Sequence, residues 1–229
     1  MTQYPDTEVY LVSYCWGTCG SFISSLIYDF LFNPEEVIPF SKEGNSHERL
    51  INCHNNWNVR QEYNTHPFRR EVGFIYDHIS PINSNKPLIL LDHRFPVFDN
   101  LFSIYPKCKN IIISFTPKDV PRIKGNTFYK LKLLKSNSLE TVQDFNTYKH
   151  NIAAIEEKFM NLDLKCPVEY SKNINVLPMY DIIHHKEKTL MLLSQVTQRP
   201  ITKKITEIYN QYLEAQDELV RTKMPWVTI

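Results

Sequence analysis

Two observations predict an α/β protein of three layers, a mainly parallel sheet with helices on both faces. Short runs of β-formers alternate with helical stretches, which is the signature of a parallel sheet with helical crossovers. The strand-like runs are also apolar almost throughout, as strands covered on both sides must be. The length of 229 residues suits a single domain over 1–229, with enough chain to bury a substantial core.

The first strand is read at Val9-Tyr10-Leu11-Val12-Ser13-Tyr14. A turn carrying Gly17, Thr18, Gly20 and Ser21 follows at once. Apolar residues at 22, 23, 26, 27, 30 and 31 then mark one face of a helix, which Asn33-Pro34 ends. Residues 41 to 70 are polar and aperiodic and read as loop, with short helices around Ser46 to Cys53. Pro87 to Leu91 is a second strand, Phe98 to Tyr105 a short helix closed by Pro106, and Asn110 to Phe115 a third strand rich in β-branched residues. Asp119 to Asn126 reads as a short helix. Ser138 is placed as the N-cap of a long helix whose stripe runs from Leu139 to Phe159. A fourth strand is expected at Asn175 to Met179, a helix from Lys186 to Gln198, and a last helix with Ile201, Ile205, Ile208, Tyr212, Ala215 and Leu219 on one side.

Composition narrows the function classes. Hydrophobic residues make 42% and charged residues 22%, a globular balance. A formal charge of +1 argues against a general nucleic-acid binder, which carries a marked basic excess. No apolar run approaches the roughly 20 residues a bilayer span requires, and Met1 to Asp6 lacks a signal-peptide layout. Five scattered cysteines, Cys15, Cys19, Cys53, Cys108 and Cys166, fit reduced thiols in a cytoplasmic, reducing compartment better than a disulfide framework. Richness in Ile, Asn and Lys points to an AT-rich genome, so a viral source and a virion location stand as an alternative.

The turn after the first strand is where chemistry is expected. A helix N-terminus offers unpaired N–H groups and a positive dipole end, which attract phosphate or sulfate. Gly17 and Gly20 let the backbone curl around an anion, and Thr18 and Ser21 add hydroxyl donors. The loop lacks the lysine of a nucleotide-triphosphatase P-loop. The alternative is a tight strand-to-helix turn that binds nothing. His93, at the end of the second strand, suits a general base near neutral pH, or else is held at the strand end by Asp92. Cys15 and Cys19 straddle a loop with no second pair, so no metal site is expected. Cys15 near a helix start is a possible reactive thiol, with ordinary burial as the plainer reading. The adjacent His184 and His185 do not share a helix face and read as surface residues. Arg69, Arg70 and His66 read as solvated charge, and Trp57 among Asn55, Asn56 and Asn58 as a weaker sugar platform.

Three blocks, in order, resemble cytosolic-type sulfotransferases over roughly half of the chain. The Tyr14 to Ser21 loop looks like the family's cradle for the 5′-phosphosulfate of 3′-phosphoadenosine 5′-phosphosulfate (PAPS). Leu90-Leu91-Asp92-His93-Arg94-Phe95-Pro96 resembles the strand end that presents the catalytic histidine. Tyr105 to Val120 is similar to the strand and turn that hold the 3′-phosphate. Val176 to Ile183 is a fainter fourth match to a late strand and acidic turn. The resemblance implies a sulfotransferase-like fold of the P-loop type, PAPS as co-substrate without metal, and a small-molecule or glycan acceptor. It implies His93 as base, with Gly17, Thr18, Cys19, Gly20, Ser21, Ser114 and Lys118 on the donor. The chain departs from the pattern at three places. Cys15 stands where the donor loop has lysine, Phe115 where the 3′-phosphate arginine belongs, and Ile123 where a serine is expected. Lys118, Arg122 and Lys124 are the nearby cations that could replace them. Two other readings remain: a catalytically silent protein of this fold serving an assembly with protein partners, and a nucleotide or small-molecule kinase.

Overall fold

The sheet is organised around β1 (Val9–Tyr14), whose six residues are all buried. The computed structural model describes residues 8–15, 17–32, 87–92, 102, 105–135, 160 and 168–224. Against one edge of β1 lies β2 (Leu88–Asp92), against the other β3 (Lys109–Ser114), and beyond β3 lies β4 (Ile174–Pro178). All three pairings are parallel, with Leu11 opposite Leu90 and Asn110, and Ile112 opposite Val176. The chain thus leaves β1 toward β2 and then returns across it to β3. That reversal puts a topological switch point at the carboxyl ends of β1 and β3, the place where open parallel sheets hold ligands. In parallel sheets, crossovers that run in the two directions carry their helices on opposite faces, because each is right-handed.

Helix α1 (Gly20–Phe32) joins β1 to β2. It packs on both strands and against two later helices, α4 (Lys186–Thr197) and α5 (Lys203–Lys223). The sequence marks one apolar face, yet residues 20 to 30 are buried all round. Serines on the second face permit this by bonding back to their own helix. Ser24 Oγ donates to Gly20 O at 2.9 Å and Ser25 Oγ to Phe22 O at 2.8 Å, so neither hydroxyl is left without a partner. Phe22 lies stacked on Tyr212 of α5, with centroids 3.6 Å apart, and meets the edge of Tyr209 at 5.0 Å.

Most expected elements are found with ends shifted by a residue or two. The largest difference follows β3. A short helix is expected to end at Asn126, but α2 runs Val120–Lys135. Gly125 does not break it, and it packs closely against Met224 at the end of α5, whose Sδ lies 2.5 Å from where a Cβ would stand. A further helix, α3 (Met179–His184), starts directly from β4. Its first turn carries Asp181, which is buried and accepts from Lys188 Nζ at 2.6 Å. The last helix begins at Lys203, capped by Thr202, whose side chain accepts from the Ile205 N–H. Of the helix expected over 98–105, Phe102 is helical and Tyr105 is not, and both are buried. The loop over 41–70 and the long helix from Ser138 lie outside the described residues. No helix among the described residues is long and apolar enough to cross a membrane.

At the amino ends of the strands a small polar network carries a pH prediction. Partial burial raises the pKa of Glu8, but hydrogen bonds from Tyr10 and Lys109, with the Lys109 charge, outweigh it and hold the carboxyl below its ordinary value near 4.5. The two bonds measure 2.5 and 2.9 Å. A depressed folded-state pKa contributes stability that is present above the unfolded value and lost as pH falls through the folded value. Glu8→Gln should therefore flatten part of the acid-side loss of stability and leave its slope near neutrality unchanged. The pair is half-exposed, so the effect stays below about 1 kcal/mol. Urea melts across the carboxylate range read it directly, and an unchanged acid-side slope would contradict it.

Candidate anion-binding site

The loop between β1 and α1 stands at the switch point. Its conformation is set by a positive φ of 83° at Gly17, a backbone region that glycine enters without strain. Glycine is needed there for a second reason. A Cβ would lie 2.5 Å from both Ile123 O and Thr127 Oγ1 of α2, so the loop is pressed against that helix. The Gly17 carbonyl accepts from Asn126 Nδ2 at 3.0 Å. At Gly20, a Cβ would overlap the ring of Tyr14, which ties the helix start to the end of β1.

The loop's hydroxyls have partners within the chain. Thr18 Oγ1 donates to Cys15 O at 2.6 Å, and Tyr14 and Ser21 share a hydroxyl pair at 3.3 Å. The Thr18 N–H also bonds Cys15 O, and the Gly20 N–H bonds Thr18 O at 2.5 Å. These bonds stiffen the turn. Donors toward a ligand then come from the first-turn N–H groups of α1 that follow Gly20, whose direction along the helix axis is fixed. Every described residue from Cys15 to Ser21 is buried.

Around this loop the sequence-derived residues are distributed unequally. Gly17, Thr18, Cys19, Gly20 and Ser21 are together at the switch point. Ser114 closes β3 and is buried, while Lys118 is exposed on the following turn. His93 lies outside the described residues, as do Arg69, Arg70, His66 and Trp57. Phe115 and Ile123 are core residues at 3% and 2% exposure, so the positions that resemble a 3′-phosphate site are apolar. Cys15, Cys19 and Cys108 are buried thiols outside any disulfide, and burial pushes the Cys108 thiol far above its ordinary range. Among the described residues no group of three His, Cys, Asp or Glu side chains could hold a metal ion. His184 and His185 are exposed and stand against the ring of Tyr180.

Of the three cations named from sequence, Lys118 and Lys124 are exposed and Arg122 is buried, at 8% exposure. Its Nη2 lies 4.0 Å from Asp217 of α5, too far for a hydrogen bond, and its Nε and Nη2 have no hydrogen-bond partner. Thr127 Oγ1 is likewise buried and unpartnered. Sequence reasoning missed Thr127 and Asn126. The signal was the spacing 122, 123, 126, 127, one helical face, hidden because three of the four residues are polar. Burial holds the Tyr212 hydroxyl protonated well above its usual range. A hydrogen bond with Cys19 acts in the same direction, and the Arg122 charge opposes it. Arg122 is thus within electrostatic reach of a side chain that touches the loop.

No family model matches the chain, and no curated protein matches it. Among solved structures, the chain is similar to the sulfotransferase domain from the curacin biosynthetic pathway. The identity is 11% and the TM-score 0.45, over 91% of this chain and 79% of that one.

Proposed function

We propose that this chain is a sulfotransferase-like protein that moves a sulfuryl group from PAPS to a hydroxyl or amine of a small molecule or glycan. The observation that carries the reading is the glycine loop leading into α1 at the switch point, in a chain whose three ordered sequence blocks resemble that family. In the reaction the acceptor oxygen or nitrogen bonds to sulfur as the bond from sulfur to the bridging phosphate oxygen breaks. The acceptor proton passes to His93, and adenosine 3′,5′-bisphosphate leaves. The remaining first-turn N–H groups of α1 bind the phosphosulfate and oppose the charge that builds on the bridging oxygen. The buried Phe115 and Ile123 leave the 3′-phosphate to other groups of the same segment, Ser114 and Lys118.

A second reading is supported by a specific observation. Cys15 is buried at 2% exposure where the resemblance expects lysine, and a buried thiol supplies no positive charge to a leaving group. A protein of this kind would retain the fold for a role in an assembly and carry no transferase activity. Melting curves with adenosine 3′,5′-bisphosphate, free of metal, separate the two, with ATP and Mg²⁺ as the kinase comparator. At 100 times its dissociation constant a ligand adds about 2.7 kcal/mol, a rise of a few degrees for a chain of this size. A rise with the bisphosphate alone supports the transferase reading. A rise only with ATP and Mg²⁺ would replace it by a kinase, and no rise with either would leave the assembly role.

A further inference from the structure

We propose that Arg122 and Thr127 of α2 complete, with the Gly17–Gly20 turn, a binding site for a multiply charged anion of the phosphate or sulfate class. Arg122 then supplies from a neighbouring helix the positive charge that Cys15 does not. The inference rests on reading the loop as an anion site and goes further by naming which residues hold the charge. Three independent features converge on it. The Gly20 N–H is held by Thr18 O, and the other first-turn N–H groups and the positive dipole end of α1 face out of the turn. Thr127 Oγ1, buried and without a partner, is aimed at Gly17, 2.5 Å from where a Cβ would stand. Arg122 sits one turn before Asn126, the residue that holds the Gly17 carbonyl, and its buried Nε and Nη2 are likewise unpartnered.

A buried guanidinium without a hydrogen-bonded counter-charge is unfavourable. Asp217 does not supply one, being 60% exposed and 4.0 Å away. An anion seated on the turn relieves that cost, accepts from Arg122 and gives Thr127 an acceptor. The arrangement therefore favours the bound state over the empty one.

The test uses inorganic pyrophosphate, in chloride buffer of matched ionic strength, on the wild-type chain and on Arg122→Met, Thr127→Val and Asp217→Asn. The wild type should show a saturable rise in melting temperature. Arg122→Met should lose that rise while melting at or above the wild type in chloride alone, because a buried charge whose counter-charge stands 4.0 Å off is gone. Thr127→Val should bind about tenfold more weakly, as one hydrogen bond to a charged group requires, and Asp217→Asn should keep the response. A wild-type response retained in Arg122→Met and Thr127→Val would overturn the proposal. So would an Arg122→Met chain that melts well below the wild type or fails to fold, together with a destabilised Asp217→Asn, which would make the arginine a structural ion-pair residue. Adenosine 3′,5′-bisphosphate run in parallel keeps this outcome separate from that of the transferase reading. A response to pyrophosphate alone upholds the anion site and removes the nucleotide. A response to the bisphosphate that survives Arg122→Met does the reverse.

Discussion

Phe22→Ala is expected to destabilise the protein by about 3–5 kcal/mol, the range for deleting a fully buried ring. Phe22 is 0% exposed and begins the buried face of α1. It joins three helices, because the ring it stacks on, Tyr212, and the ring it meets edge-on, Tyr209, both belong to α5, and the Tyr209 hydroxyl donates to Ile182 O of α3 at 2.7 Å. Such ring pairs contribute about 0.5–1.5 kcal/mol beyond the area they bury. Removing Phe22 therefore weakens the docking of α5 on α1 as well as opening a cavity. Urea denaturation with tryptophan or near-ultraviolet circular dichroism as probe measures the loss. A change under about 1.5 kcal/mol, within the range of tolerated core swaps, would mean that α5 does not depend on this contact.

Gly20→Ala is the second large effect, at about 2 kcal/mol. An alanine within a helix is ordinarily favoured over glycine by about 1 kcal/mol. Here the added Cβ overlaps the Tyr14 ring, which is 3% exposed and held at its far end by the Ser21 hydroxyl pair. Overpacking of this kind costs about 1–3 kcal/mol after relaxation, and the ring has no flexible end to give way. The mechanism is tested by a double-mutant cycle with Tyr14→Leu. The two substitutions should be less harmful together than their sum, with a coupling of at least about 1 kcal/mol. Additive effects would show that the ring and the helix start do not compete for the same space.

Both substitutions fall in the part of the fold most readable from sequence. Residues 9 to 14 are apolar with a single serine, and the turn that follows is glycine-bearing. A buried parallel strand entering a helix N-terminus leaves few other readings. The region after β3 was harder to read for a physical reason. Gly125 and Asn126 are local helix-weakening signals, and what overrides them is tertiary: Met224 packed against the glycine and the asparagine amide bonded to Gly17 O. Helix α3 is only six residues long and follows Pro178 without a side-chain cap, too short for an apolar period to register. The same limit applied at the site. Lys118, Arg122 and Lys124 lie within one short segment, and only the packing of α2 decides that Arg122 turns inward.

That the turn after β1 seats the phosphate of the donor nucleotide is read from backbone amide signals in NMR spectra during a titration with adenosine 3′,5′-bisphosphate under metal-free conditions. The account predicts saturable shifts concentrated at Gly17, Thr18, Cys19, Gly20, Ser21 and Thr127, with the Arg122 side-chain signal moving in step. Shifts confined to exposed lysines such as Lys107 and Lys203, or no shift at all, would contradict it.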